Sequence, residues 1–69
     1  MKTISGKRLC SILEMKGWTL KKINGSHHIY FKKGIELLIV VPVHRNVDLK
    51  IGLLKSIMKI ARLVESDLK

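Results

Sequence analysis

The spacing of apolar residues divides the chain into five elements. From Ser5 onward, Leu9, Ile12 and Leu13, joined by Cys10 or the aliphatic stem of Lys16, recur at helical spacing, while Lys7, Arg8, Ser11 and Glu14 fall on the opposite side. Ser5 is placed to cap this helix, Ile4 to staple onto Leu9, and Gly17 to stop it, which predicts a helix over residues 6–16. The period then changes to two. Trp18-Thr19-Leu20-Lys21-Lys22-Ile23 is β-favouring, with Trp18 and Leu20 on one face and Thr19 and Lys21 on the other. Asn24-Gly25 predicts a type I′ bend, since both residues accept positive φ. Residues 27–33 follow as a second strand, and Gly34 marks a second turn before a third strand, Ile35 to Val41. That third strand is apolar at nearly every position, so it is expected to be covered on more than one side or to lie under a partner, with Pro42 ending its pairing or placing it at an edge.

After a short polar connection, Val43 to Val47, Asp48 is placed to cap a second helix. Its first turn, Leu49-Lys50-Ile51-Gly52, is a weak helix former, but from Leu53 an apolar stripe is clear: Leu53, Leu54, Ile57, Ile60 and Ala61, widened by Met58. Lys50, Lys55, Ser56, Lys59 and Arg62 lie largely on the other side. Val64 to Lys69 either extends this helix or forms a separate turn. Helix, three antiparallel strands, helix is an α+β arrangement, expected to lay both helices on one face of a three-stranded sheet and leave the other face free. Sixty-nine residues support one domain, 1–69, near the small end of what folds without disulfide or metal staples.

Charge narrows the choice of partner. Fourteen Lys plus Arg against five acidic residues leave a formal charge of +9, and self-repulsion on that scale in so short a chain points to an anionic partner. Nucleic acid is the foremost reading, ahead of an acidic protein or a solubilising coat of lysines. The single cysteine, Cys10, cannot form an internal disulfide, and no CxxC knuckle is present. The opening residues lack the apolar core of a signal peptide, and the longest apolar run, Leu37 to Val43, falls far short of the roughly 20 residues that span a bilayer. The expectation is a soluble cytoplasmic protein with no membrane partner and no small-molecule substrate.

Candidate chemistry concentrates in Asn24-Gly25-Ser26-His27-His28-Ile29-Tyr30-Phe31-Lys32-Lys33, a turn leading into an aromatic and basic strand. Adjacent histidines in a strand point to opposite faces, so His27 and His28 cannot serve one site in the same way. His27 shares a face with Ile29 and Phe31, and His28 with Tyr30 and Lys32. Alternation alone therefore makes His28 the solvent-facing residue, unless the strand begins only after His27. A zinc site from His27, His28 and His44 is disfavoured, because the adjacent pair diverges and no Cys, Asp or Glu lies at ligand spacing. No metal or other cofactor is expected. Ser26 as a nucleophile lacks a nearby carboxylate to orient a base and is sufficiently explained as a turn residue. Lys21, Lys22, Lys32 and Lys33 flank the turn on both strands. Against a polyphosphate they would act as contacts, while a histidine moves a proton in the attack of a ribose 2′-OH. A non-catalytic RNA- or DNA-binding module using the same basic face is the alternative.

The same residues carry a resemblance. Ser5-Gly6-Lys7, Lys16-Gly17-Trp18, Gly25-Ser26-His27-His28-Ile29, Val41-Pro42-Val43-His44 and Leu53-Leu54-Lys55-Ser56-Ile57-Met58-Lys59, in that order, resemble the HicA (YcfA-like) family of toxins from HicAB toxin-antitoxin modules over essentially the whole chain. The resemblance implies a double-stranded-RNA-binding-domain-like fold of α-β-β-β-α order, cleavage of mRNA, and neutralisation by a HicB antitoxin that covers the active site. The histidine after the small pair is the catalytic one in that family, which nominates His27 over the alternation argument, with His28 second. Lys21, Lys22, Ser26, His28, Lys32 and Lys33 are then the expected RNA contacts of a metal-independent endoribonuclease. Two positions depart from the pattern: Ala61-Arg62-Leu63 stands where the family often has Ala-Gly-Leu, and Val64 where it often has a Ser or Thr cap.

Overall fold

Capping fixes the limits of the first helix. In the computed structural model, which describes all residues 1–69, Ser5 keeps an extended backbone and its hydroxyl accepts from the Arg8 N–H at 3.1 Å, opening α1 at Gly6–Met15. The helix closes on Gly17 at φ 94°, where the Gly17 N–H donates to the Glu14 carbonyl and the Trp18 N–H to that of Leu13. This paired closure satisfies two carbonyls that helix termination would otherwise orphan. Leu9, Cys10, Ile12 and Leu13 face inward and are buried, as the helical stripe requires.

Three strands follow, β1 (Thr19–Asn24), β2 (His27–Lys32) and β3 (Ile35–Pro42), in the antiparallel order β1-β2-β3. Two details differ from the sequence reading. Asn24 pairs with His27, so the bend consists of Gly25 and Ser26, and only Gly25 takes positive φ. That is the pattern of a II′ turn, with glycine first, rather than the Asn-Gly type I′ bend. The pairing of β1 also slips between Leu20 and Lys22, so that Lys21 is the extra residue of a bulge and simple alternation along β1 breaks there.

Only one sheet face is covered. Tyr30, Ile39 and Val41 are fully buried beneath the helices, while Phe31, Leu38 and Val40 remain exposed on the other side. Within the chain β3 is thus covered on one side and not on more, and of the two expectations only a partner could supply cover for the other. Its continuous apolar run has one face packed and one open, and β3 is an edge strand that ends at Pro42. Tyr30 anchors the covered face by donating its hydroxyl to Glu14 Oε2 at 2.6 Å, which links β2 to α1. Burial, then the bond to Glu14, holds the phenol well above its ordinary pKa, and burial also raises that of the adjacent Cys10 thiol.

The second helix, α2 (Ile51–Ala61), starts later than predicted and without a side-chain cap. Asp48 does not cap it. It forms a bridge with Ser5 instead, while the Leu49 N–H donates to the Ile4 carbonyl at 2.8 Å and Thr3 Oγ1 donates to the Leu49 carbonyl. These bonds tie the approach to α2 onto the start of α1. At its other end α2 closes on Arg62 in the left-handed region, φ 57° and ψ 42°, so the missing glycine changes the cost of the stop and not its place. The tail is a separate 3-10 turn, Glu65–Leu68, docked on α1 through the ion pair of Lys16 Nζ with Asp67 at 3.0 Å.

Two predictions follow from this packing. A Cβ on Gly6 would lie 2.1 Å from the Pro42 carbonyl oxygen, so Gly6→Ala should lower stability by about 1–3 kcal/mol in urea melts although alanine is the better helix former. Asp67, which accepts from the Val64 N–H and from Lys16, titrates below its ordinary 3.8. A lowered carboxyl pKa stabilises above the unfolded value and loses that contribution as pH falls through the folded one. Protection of the Val64 amide, taken relative to the intrinsic exchange rate at each pH, should accordingly fall on acidification below about pH 4, ahead of the core amides.

Candidate active site

The register of β2 places the two histidines on different sides. His27 pairs with Asn24 and Pro42 and stands exposed on the open face, which it shares with Ile29 and Phe31. His28 pairs with Ile23 and Val41 on the face of buried Tyr30 and is half-buried at the margin of the helix layer. Alternation correctly separated the pair but assigned the wrong member to solvent. The buried aromatic of the strand is Tyr30, whose hydroxyl has Glu14 as a partner, and Phe31 is the one left outside.

The hairpin mouth is held against the end of β3. The Val43 N–H donates to the Ser26 carbonyl at 2.8 Å, and Ser26 Oγ lies 3.4 Å from His44 Nε2. His44 itself is exposed and opens a turn closed by the Val47 N–H bonding to its carbonyl, with Arg45 at φ 49° inside it. Ser26, His27 and His44 thus gather at one end of the sheet. From sequence, His44, just past the third strand, is a candidate to assist the catalytic histidine only because strand ends can converge, and as a lone exposed histidine it is expected to carry no chemistry. Its approach to Ser26 depends on the pairing of His27 with Pro42, and the order of residues alone offers no signal for that register. No carboxylate joins the Ser26–His44 contact, so a serine nucleophile with an oriented base is not assembled.

The four lysines do not form one cluster. Lys22 pairs with Ile29 on the open face, diagonally across from His27, a spacing of roughly 7–8 Å between backbones. Lys21 is the bulged residue beside it. Lys32 sits at the far end of β2, roughly 17 Å from His27 at about 3.3 Å per residue. Its Nζ donates to the Lys16 carbonyl at 2.8 Å, so its charge is partly committed to the end of α1. Lys33 is exposed in the turn that follows. The open face therefore presents an exposed imidazole, one cation nearby and a short apolar strip. An imidazole so placed can take or give a proton to a polymer lying across the sheet. No three His, Cys, Asp or Glu side chains come together as a group that could hold a metal ion. No helix is long and apolar enough to cross a membrane.

Comparison of the chain with curated proteins gives no match. Residues 6–63 match the family model described as the HicA toxin of bacterial toxin-antitoxin pairs, a span that runs from the first residue of α1 through the closure of α2. It takes in the Gly17 closure of α1, the Gly25-Ser26-His27 bend and the Pro42-to-His44 strand end that meets it. A helix, three antiparallel strands and a second helix, with the histidine bend at one end, are all contained in that match, and the chain belongs to the HicA toxin family.

Proposed function

We propose that this toxin is a metal-independent endoribonuclease that cleaves mRNA, with His27 as its general acid or base. The observation that carries the reading is the exposed imidazole of His27 on an open sheet face, with Lys22 diagonally across, in a chain of net charge +9. The reaction asks little else of the protein. The ribose 2′-oxygen attacks the adjacent phosphorus, the bond to the 5′-oxygen breaks, and the products are a 2′,3′-cyclic phosphate and a 5′-hydroxyl. One proton leaves the 2′-OH and one is delivered to the departing 5′-oxygen, and His27 handles one of these transfers. Charge gathering on the phosphorane oxygens is met by Lys22, with Lys21 beside it. Lys33, farther along the hairpin, contacts a more distant phosphate, and Lys32 contributes with whatever donor capacity its bond to Lys16 leaves. Ser26 borders the RNA path at the bend, whereas His28, on the helix side of the sheet, reaches RNA only where the RNA strand passes over the sheet margin. The reading is sequence-tolerant, because phosphate contacts position a strand without reading its bases. The partner that restrains the toxin is a HicB-type antitoxin, and cover of the His27 face by that antitoxin is part of the proposal.

Purified protein incubated with RNA tests this directly. His27→Ala should lower the cleavage rate by about 10²–10⁴-fold with RNA binding retained, and EDTA should leave wild-type cleavage unchanged. Full cleavage by His27→Ala together with loss in His28→Ala would transfer the role to His28. Intact RNA recovered from a tight, salt-sensitive wild-type complex would make the chain a binding module without catalysis. For the phosphate contacts, Lys22→Ala should weaken RNA binding and reduce the slope of log K against log salt by about 0.7, the share of one phosphate on a single strand.

A further inference from the structure

The helix layer stops before the sheet does. On the covered face of β3, Val41 is 0% and Ile39 1% exposed, whereas Leu37 is 59% exposed and Ile35 38%. Leu37 and Ile35 instead line an open groove of about 650 Å³ between the start of β3 and the last turn of α2, with Trp18 beneath them. Lys32, Lys59 and Arg62 border the same groove, and no acidic residue of the chain lines it. Two uncovered aliphatic side chains beside three cations form an unfinished section of core whose missing piece is apolar on one side and negatively charged on the other. A phosphate backbone would answer the cations but leave Leu37 and Ile35 in water, so the composition favours a protein segment over RNA.

We propose that this groove is an anchoring site for an acidic amphipathic segment of the HicB-type antitoxin, separate from the His27 face. The segment completes the layer over Ile35 and Leu37 and pairs its carboxylates with Lys59, Arg62 and the outer side of Lys32. Because the groove lies at the opposite end of β2 from His27, the antitoxin grips the toxin at two places. The groove supplies affinity and leaves cover of the catalytic face to another part of the partner. The inference rests on membership of the toxin family and not on the ribonuclease mechanism.

The test measures binding of the HicB-type antitoxin encoded with the toxin, in the absence of RNA, by calorimetry. Leu37→Asp, which changes an exposed side chain, and the double variant Lys59→Glu/Arg62→Glu should each weaken the complex by about tenfold or more, while cleavage of RNA by the free toxin stays within about twofold of wild type. Thermal melts establish that each variant is folded, and should Leu37→Asp fail to fold, the surface double variant decides. Antitoxin affinity unchanged in the folded variants overturns the proposal. So does a parallel loss of RNA binding, which would assign the groove to RNA. An inactive wild-type toxin that still loses antitoxin affinity on these substitutions would refute the ribonuclease reading and leave the anchoring site standing.

Discussion

The approach of Gly6 to the Pro42 carbonyl is the contact on which the rest of the arrangement depends. Any side chain at Gly6 would collide with the backbone of the strand end, so glycine alone lets the first turn of α1 lie against the last residue of β3. From that seat α1 runs across the sheet, and its stripe of Leu9, Ile12 and Leu13 reaches Tyr30 and Ile39. The segment before α2 is drawn to the same place by the Ser5–Asp48 bridge and the Ile4–Leu49 bond. Both helices are therefore registered to one end of the sheet, the end that carries the histidine bend.

Holding both helices at that end has two consequences. Close to the contact, Pro42 and Val43 are fixed, and with them the pairing to His27 and the bond to the Ser26 carbonyl. The bend is thus supported from below by packed structure, although its own residues are exposed or only half-buried. A proton-transfer group gains from such support, because its position is set by backbone pairing and not by a flexible loop. Away from the contact, the helices run out before β3 does, and Leu37 is left bare among cations. One packing decision thus produces a rigid bend at one end of the hairpin and an unfilled groove at the other.

The excess positive charge weighs on the same design. With five acidic residues in the chain, two of them are used within the fold: Glu14 accepts from buried Tyr30, and Asp67 holds the tail to α1 through Lys16. The open sheet face and the groove are consequently left with uncompensated cations, and the molecule is most comfortable beside an anionic surface. Under the two proposals, RNA on the His27 face and an acidic antitoxin segment in the groove would answer that need at different places for different reasons. RNA needs phosphates near a free imidazole, whereas a protein segment can also cover the aliphatic side chains.

Much of this was determined by residue order alone. Helical spacing of Leu9, Ile12 and Leu13 with Ser5 and Gly17 at its ends specified α1 almost to the residue, because caps and periodicity are local properties. The order of elements, the end of β3 at Pro42 and the opposite orientation of His27 and His28 were legible for the same reason. Tertiary structure decided which histidine faces solvent, since alternation distinguishes two faces but not which one the helices cover. Tyr30 lies inward because Glu14 and Cys10 on α1 meet it there, an encounter between residues far apart in the chain. It likewise decided the contact of Ser26 with His44, the separation of Lys32 from Lys22 and the bare strip at Leu37. Each depends on register and on helix reach across the sheet, and those are fixed by packing between distant segments.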